Sequence, residues 1–148
     1  MKHSLKTAAA HGFTLIELII AIAILAIIIG IAIPSYTQYV LKSGRADAKN
    51  ALMQSAQSLE RCYTRFSAYN DSDCNANKAA PTGIDGMMSE NDKYQLSITS
   101  ISPNAFTLRA VPQGGQTNDS ECGNFTLTNT GQKGANGGTD AADVDKCW

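Results

Sequence analysis

Between Phe13 and Ile33 the sequence carries one charged side chain, Glu17, and the next is Lys42. At 1.5 Å per residue a helix of that run spans roughly 30 Å, the thickness of a bilayer's hydrocarbon core. A single domain of 148 residues has no interior that requires such an element, so the run predicts a helix that meets lipid or other helices. Lys2 and Lys6 precede it and favour a cytoplasmic N terminus. Lys42, Arg45 and Lys49 on the far side weaken that bias. The formal net charge of −1 points to no strongly basic domain of the kind that grips nucleic acid by bulk charge.

An ordinary secretory signal, with Gly30 and Ala32 as small residues for cleavage, or a plain membrane anchor would account for the apolar run. Neither accounts for Glu17. A carboxylate there costs on the order of 2–3 kcal/mol to insert, less near the membrane face. Nor do they explain why the run starts abruptly at Gly12-Phe13 after a short polar leader. Cleavage between Gly12 and Phe13 explains both. It frees an α-amino group, positive at neutral pH, and Glu17 can pair with that amine in its own chain or in a neighbour. In a low-dielectric setting a lone carboxylate is penalised, so the pair sets a register in which helices dock. Further along, Pro34 lacks the N–H that would reach the carbonyl of Gly30, itself a weak helix former. The two mark a helix break, either a static kink or a place where the helix can unwind.

Beyond Pro34 helical spacing resumes. Leu41, Ala48, Leu52, Ala56, Leu59, Tyr63 and Phe66 fall on one stripe, with Lys42, Arg45, Asp47, Lys49, Gln54, Gln57, Glu60 and Arg61 between them. The helix is predicted to run from Phe13 to about Phe66, roughly 80 Å, with an amphipathic second half whose apolar side needs a sheet. Asn70 to Asp92 reads as loop. Tyr94–Ile98 and Phe106–Ala110 alternate apolar and polar residues around Ser102-Pro103-Asn104, an antiparallel hairpin; Phe125–Thr128 is a third strand. The tail from Gly131 to Lys146 is rich in Gly, Asn and Asp and needs tying down. The fold class is α+β, a long N-terminal helix packed on a small antiparallel sheet.

The four cysteines, Cys62, Cys74, Cys122 and Cys147, all follow the export-like segment and read as two disulfides in an oxidising compartment. Of three connectivities, Cys62–Cys74 and Cys122–Cys147 are favoured because each brackets a short loop-rich stretch. Each bridge stabilises by roughly 3 kcal/mol through the unfolded chain. No Cys-x-x-Cys pair occurs, and both histidines, His3 and His11, lie in the leader, which argues against zinc and against a Ser/His/Asp set in the mature chain. No phosphate-binding or dinucleotide motif is present. The sequence implies no enzyme, no cofactor and no metal. Asp71, Asp73 and Asn75, and likewise Asp140, Asp143 and Asp145, read as solvated acidic loops rather than calcium sites. Lys42, Arg45, Lys49, Arg61 and Arg65 are read as a solvated helix face rather than a row of DNA-phosphate contacts. Tyr63, Phe66, Tyr69 and Tyr94 are read as core rather than a stacking platform.

Gly12-Phe13-Thr14-Leu15-Ile16-Glu17-Leu18, with the Ile/Ala/Leu run and Ile33-Pro34-Ser35-Tyr36, resembles the type IV pilin signature. Tyr39, Arg45-Ala46-Asp47-Ala48 and Leu59-Glu60-Arg61, with Cys122 to Leu127 and the final Cys147-Trp148, resemble PilE-type minor pilins. The resemblance implies a leader over 1–12, a membrane and filament-core helix over 13–40 and an extracytoplasmic globular domain over 41–148. It implies a prepilin peptidase that cuts after Gly12 and N-methylates Phe13, Glu17 as the assembly contact, and local melting near Gly30–Pro34 during filament packing. The leader is longer than many in the family, and His11 replaces a basic residue often found there. The implied partners are other pilin subunits, inner-membrane assembly machinery and, before assembly, lipid. The implied function is that of a minor pilin of a type IV pilus serving biogenesis, twitching motility, adhesion or DNA uptake. A major pilin, a pseudopilin of type II secretion and a membrane-anchored extracytoplasmic binding module are the alternatives.

Overall fold

The structure, a computed structural model, describes residues 13–71 and 83–148. Gly12, Asp73, Cys74 and Asn75 lie outside the described residues, and with them the Cys62–Cys74 pairing. The chain divides into two compact units, the first ending at Gln38 and the second running Tyr39–Trp148.

Helix α1 covers Leu15–Phe66 and includes Pro34. Thr37 Oγ1 donates to the Pro34 carbonyl at 2.8 Å. In the first unit its large apolar side chains are exposed all round, from 47% at Ile19 to 76% at Leu15. A helix that is apolar on every face requires an apolar surround.

In the second unit α1 buries Gly44, Ala48, Ala51, Leu52, Ser55 and Leu59, a spacing of three and four residues that puts them on one face. That face packs on an antiparallel sheet in the order β1-β2-β3-β4. The strands are β1 Tyr94–Ser102, β2 Ala105–Pro112, β3 Phe125–Thr128 and β4 Lys133–Ala135. Tyr94, Leu96, Phe106, Leu108, Ala110, Phe125 and Leu127 point inward to form the core with Leu52 and Leu59. Each large apolar side chain so buried contributes about 1.5–3 kcal/mol. Tyr69 closes one end, stacked on Tyr63 at 4.6 Å and edge-on to Phe106 at 4.9 Å. Tyr63 itself is half-exposed, so its place on the stripe puts it at the rim of the core rather than inside it.

Ile98 and Ile101 are three residues apart, which in a regular strand would put them on opposite faces. A register shift between Ile98 and Ser100 absorbs one residue, so Ile98 pairs with Leu108 and Ile101 with Phe106, both against the core. The hairpin closes over Pro103-Asn104, with Ser102 opposite Ala105.

Two stretches read as loop carry regular structure. The tail after Gly131 contains β4 and a short helix α2, Ala141–Cys147. Within the 70–92 loop, Leu96 N–H donates to the Met87 carbonyl at 2.7 Å and Gly86 N–H to the Leu96 carbonyl at 2.8 Å. The loop thus covers the edge of β1, which would otherwise invite a foreign strand.

At Gly44 α1 comes close against Gln116. A Cβ there would overlap the Gln116 side-chain amide, which donates to the Leu41 carbonyl at 2.9 Å and to the Tyr94 hydroxyl at 3.1 Å. Gly44→Val is expected to lower unfolding stability by about 1–3 kcal/mol through overpacking, read as a lower denaturant midpoint with unchanged slope.

Candidate functional site

The first site lies at the start of α1. Thr14 N–H and the Thr14 hydroxyl donate to Glu17 Oε2 at 2.9 and 2.8 Å, and Glu17 N–H donates to Thr14 Oγ1 at 3.3 Å. This is a capping box. The N-cap threonine and a glutamate three residues later satisfy each other's backbone donors, which would otherwise be orphaned at a helix start. Thr14-x-x-Glu17 is its sequence signature, and it shows that Glu17 has a task in its own chain besides any charge pairing. Both bonds go to Oε2; among the described residues Oε1 accepts none. A side chain at Gly30 would meet nothing within 4 Å, so packing within the chain does not account for that glycine.

The second site is a charged cluster that joins α1 to the C-terminal third. Arg45 is bidentate to Asp119, Nε to Oδ2 at 2.7 Å and Nη2 to Oδ1 at 2.9 Å, and Nη2 also donates to Glu121 Oε2 at 2.7 Å. Lys146 Nζ reaches Glu121 Oε1 at 2.5 Å. Arg45 and Asp119 are 5% and 3% exposed, so the pair is desolvated and correspondingly dependent on its geometry. Lys146 first and Arg45 second hold the Glu121 carboxyl down to about 2. Burial pushes the Tyr94 hydroxyl up to about 12. Neighbouring residues repeat the Glu121–Lys146 contact covalently, through the Cys122–Cys147 disulfide. Asp119, Glu121 and Cys122 converge within reach of one ion, but the sulfur is bridged and the carboxylates face Arg45 and Lys146, so the donor set is already used.

Asp47, one step along α1, accepts from Ser89 Oγ and from Asn91 Nδ2, the latter at 3.1 Å; Ser89 Oγ in turn accepts from Tyr94 N–H at 2.9 Å. It fixes the turn that feeds β1. Arg45 and Asp47 are therefore not members of a solvated helix face: their partners lie far along the chain, where helical spacing gives no hint of them. Of the remaining cations in that row, Lys49 donates to the Trp148 carbonyl at 2.8 Å, while Lys42, Arg61 and Arg65 are exposed. Arg109 is exposed on the outer face of the sheet, in register with Ser97 and Thr126. Among the described residues the ion pairs use only Arg45 and Lys146 as cations.

A family model described as the type IV minor pilin ComP, DNA uptake sequence receptor, matches residues 34–126, well over half of the 148. This chain belongs to the type IV minor pilins. The prokaryotic N-terminal methylation motif matches residues 7–33 of this minor pilin, a span that includes Gly12, Phe13 and Glu17. Similar solved structures include the non-core minor pilin PilV of Neisseria meningitidis, at 24% identity and TM-score 0.47, covering 70% of this chain and 93% of that one. A type IV pilin of Shewanella oneidensis is 27% identical at TM-score 0.48, covering 73% of this chain and 97% of that one. By the family it belongs to, this pilin is a pilus subunit. Its apolar helix anchors it in a membrane before assembly, and its partners are in general other pilins and the machinery that assembles them.

Proposed function

We propose that the protein is inserted in the inner membrane with its N terminus in the cytoplasm and cut by a prepilin peptidase after Gly12. Phe13 is then N-methylated, and the protein is polymerised through its apolar helix. The new amine of Phe13, in its own chain or a neighbour's, meets Glu17, whose Oε1 accepts no hydrogen bond among the described residues. Gly30 lets a neighbouring helix approach closely, as small residues do in helix pairs, and Gly30–Pro34 is where the helix yields as the subunit packs.

We further propose that the globular unit contacts DNA during uptake. The observation that carries this is the match over residues 34–126 to a family described as a DNA uptake sequence receptor. It revises the sequence reading, which set direct DNA contact aside. The contacting cations would not be the α1 row as first drawn, since Arg45 is buried in an ion pair, but exposed Lys42, Arg61, Arg65, Arg109 and Lys133. A deletion strain is expected to lose natural transformation while sheared pili remain in the medium. Loss of protein secretion with transformation intact would contradict the reading and favour a pseudopilin.

A further inference from the structure

We infer that Tyr36 and Tyr39 seat α1 in the phospholipid headgroup layer on the extracytoplasmic side of the membrane. The inference rests on the reading that α1 spans the inner membrane before assembly, and it gives that helix a fixed depth. From Leu15 to Tyr39 every residue of α1 is exposed, and cover by the rest of the chain begins only at Val40 and Leu41. Tyr36 and Tyr39 are 69% and 72% exposed, and neither hydroxyl has a hydrogen-bond partner among the described residues. The sequence changes character at the same place. Ile33 ends the apolar run, Ser35, Thr37 and Gln38 are polar without charge, and Lys42 is the first charge after Glu17. A tyrosine has an apolar ring and a polar tip, and it is enriched where one end meets hydrocarbon and the other meets water.

The spacing along the helix fits a bilayer at both ends. α1 is one continuous helix over this stretch, so Tyr36 lies about 28 Å along its axis from Glu17 and Tyr39 about 33 Å. A hydrocarbon core is about 30 Å thick, and its headgroup layers bring the whole to about 40–45 Å. With both rings in the outward headgroup layer, Glu17 falls at the opposite boundary of the hydrocarbon, where a carboxylate costs less than at the midplane. A slide of one turn outward drags Glu17 into hydrocarbon, and a slide inward drags the two hydroxyls there. Lys42, exposed, follows about 9 Å beyond Tyr36 along the axis, within reach of lipid phosphates. Headgroups rather than a second helix are assigned because the rings stand where the apolar run ends, continuous with the surface that lipid covers.

The test uses the full chain in phosphatidylethanolamine–phosphatidylglycerol vesicles whose acyl chains carry bromine either near the headgroup or near the tail end. Tryptophan shares the interfacial preference of tyrosine, so Tyr36→Trp and Tyr39→Trp place an emitter without removing the anchor. Trp148, the single native tryptophan, is read alone in the parent and subtracted. Shallow bromine is expected to quench both emitters about twice as strongly as deep bromine, and Ile24→Trp, near the middle of the run, should show the reverse order. Adding Tyr36→Ser and Tyr39→Ser to Ile24→Trp is expected to reduce its contrast between deep and shallow bromine by about half, because the helix is then free to slide. An unchanged contrast there overturns the seat, as does stronger quenching of Tyr36→Trp by deep bromine. Emitters at 36 and 39 shielded from both bromines, with Ile24→Trp quenched, assign the rings to another helix and overturn it equally; in all three cases the membrane reading stands. If neither bromine quenches Ile24→Trp, the chain is not in the bilayer and both fall.

Discussion

Glu17→Val is expected to leave the protein in the membrane fraction and to remove it from sheared pili. The substitution makes the helix more apolar, so insertion does not suffer. It also deletes the partner of the amine released at Phe13. Breaking an ion pair in a low-dielectric surround costs about 3–5 kcal/mol, or a factor of more than about 100 in the docking equilibrium. The capping box supplies a rival explanation, because the same carboxylate caps α1 through Thr14. Glu17→Gln separates the two. It keeps an oxygen for the Thr14 N–H but removes the charge. Loss of assembly in the Gln variant as well as the Val variant assigns the defect to charge. Normal assembly of Glu17→Gln assigns it to the cap, where removing such a group costs about 0.5–2 kcal/mol.

Arg45→Met carries the largest expected loss of stability, about 3–5 kcal/mol, since it leaves Asp119 buried and unpaired. Denaturant unfolding followed by Trp148 emission measures it. The double variant Arg45→Met/Asp119→Asn should recover much of the loss, because it removes the stranded charge along with its partner. A double variant no more stable than Arg45→Met would show that the cost comes from lost packing of the arginine stem instead. Acid acts on the neighbouring carboxylate with a known sign. Glu121 titrates lower folded than unfolded, so its contribution is complete above its ordinary range and disappears as pH falls toward about 2.

What could be read along the chain, and what could not, divides by the range of the interaction responsible. The apolar helix, the Glu17 anomaly and the α1 stripe through Leu52 and Leu59 are local patterns of period near 3.6, and the strands around Leu96 and Leu108 are local patterns of period two. The end of α1 at Phe66 was legible for the same reason. β4 was not: Lys133-Gly134-Ala135 has no alternation to speak of, and it is a strand because Leu127 and Phe125 lie opposite it. α2 was hidden in a Gly- and Asp-rich tail that is pinned by the Cys122–Cys147 bridge and by Trp148. The buried charges were the largest gap. Arg45 and Asp47 sit on a face that helical spacing marks as polar, and only the later chain, at Asp119 and Ser89, reveals why they are inside. The Thr14-x-x-Glu17 cap was missed although its signature is local, because Glu17 was read only as a charge partner. The bulge between Ile98 and Ser100 was not read, because the alternation followed along β1 stopped at Ile98.

Pairing between Glu17 and a proteolytically created amine is the step on which the assembly account turns. Mass spectrometry of the N terminus of filament-incorporated protein addresses it directly. The account predicts a chain beginning at N-methylated Phe13. A filament subunit that still begins at Met1, or that begins at Ile33 after conventional signal cleavage, would contradict it.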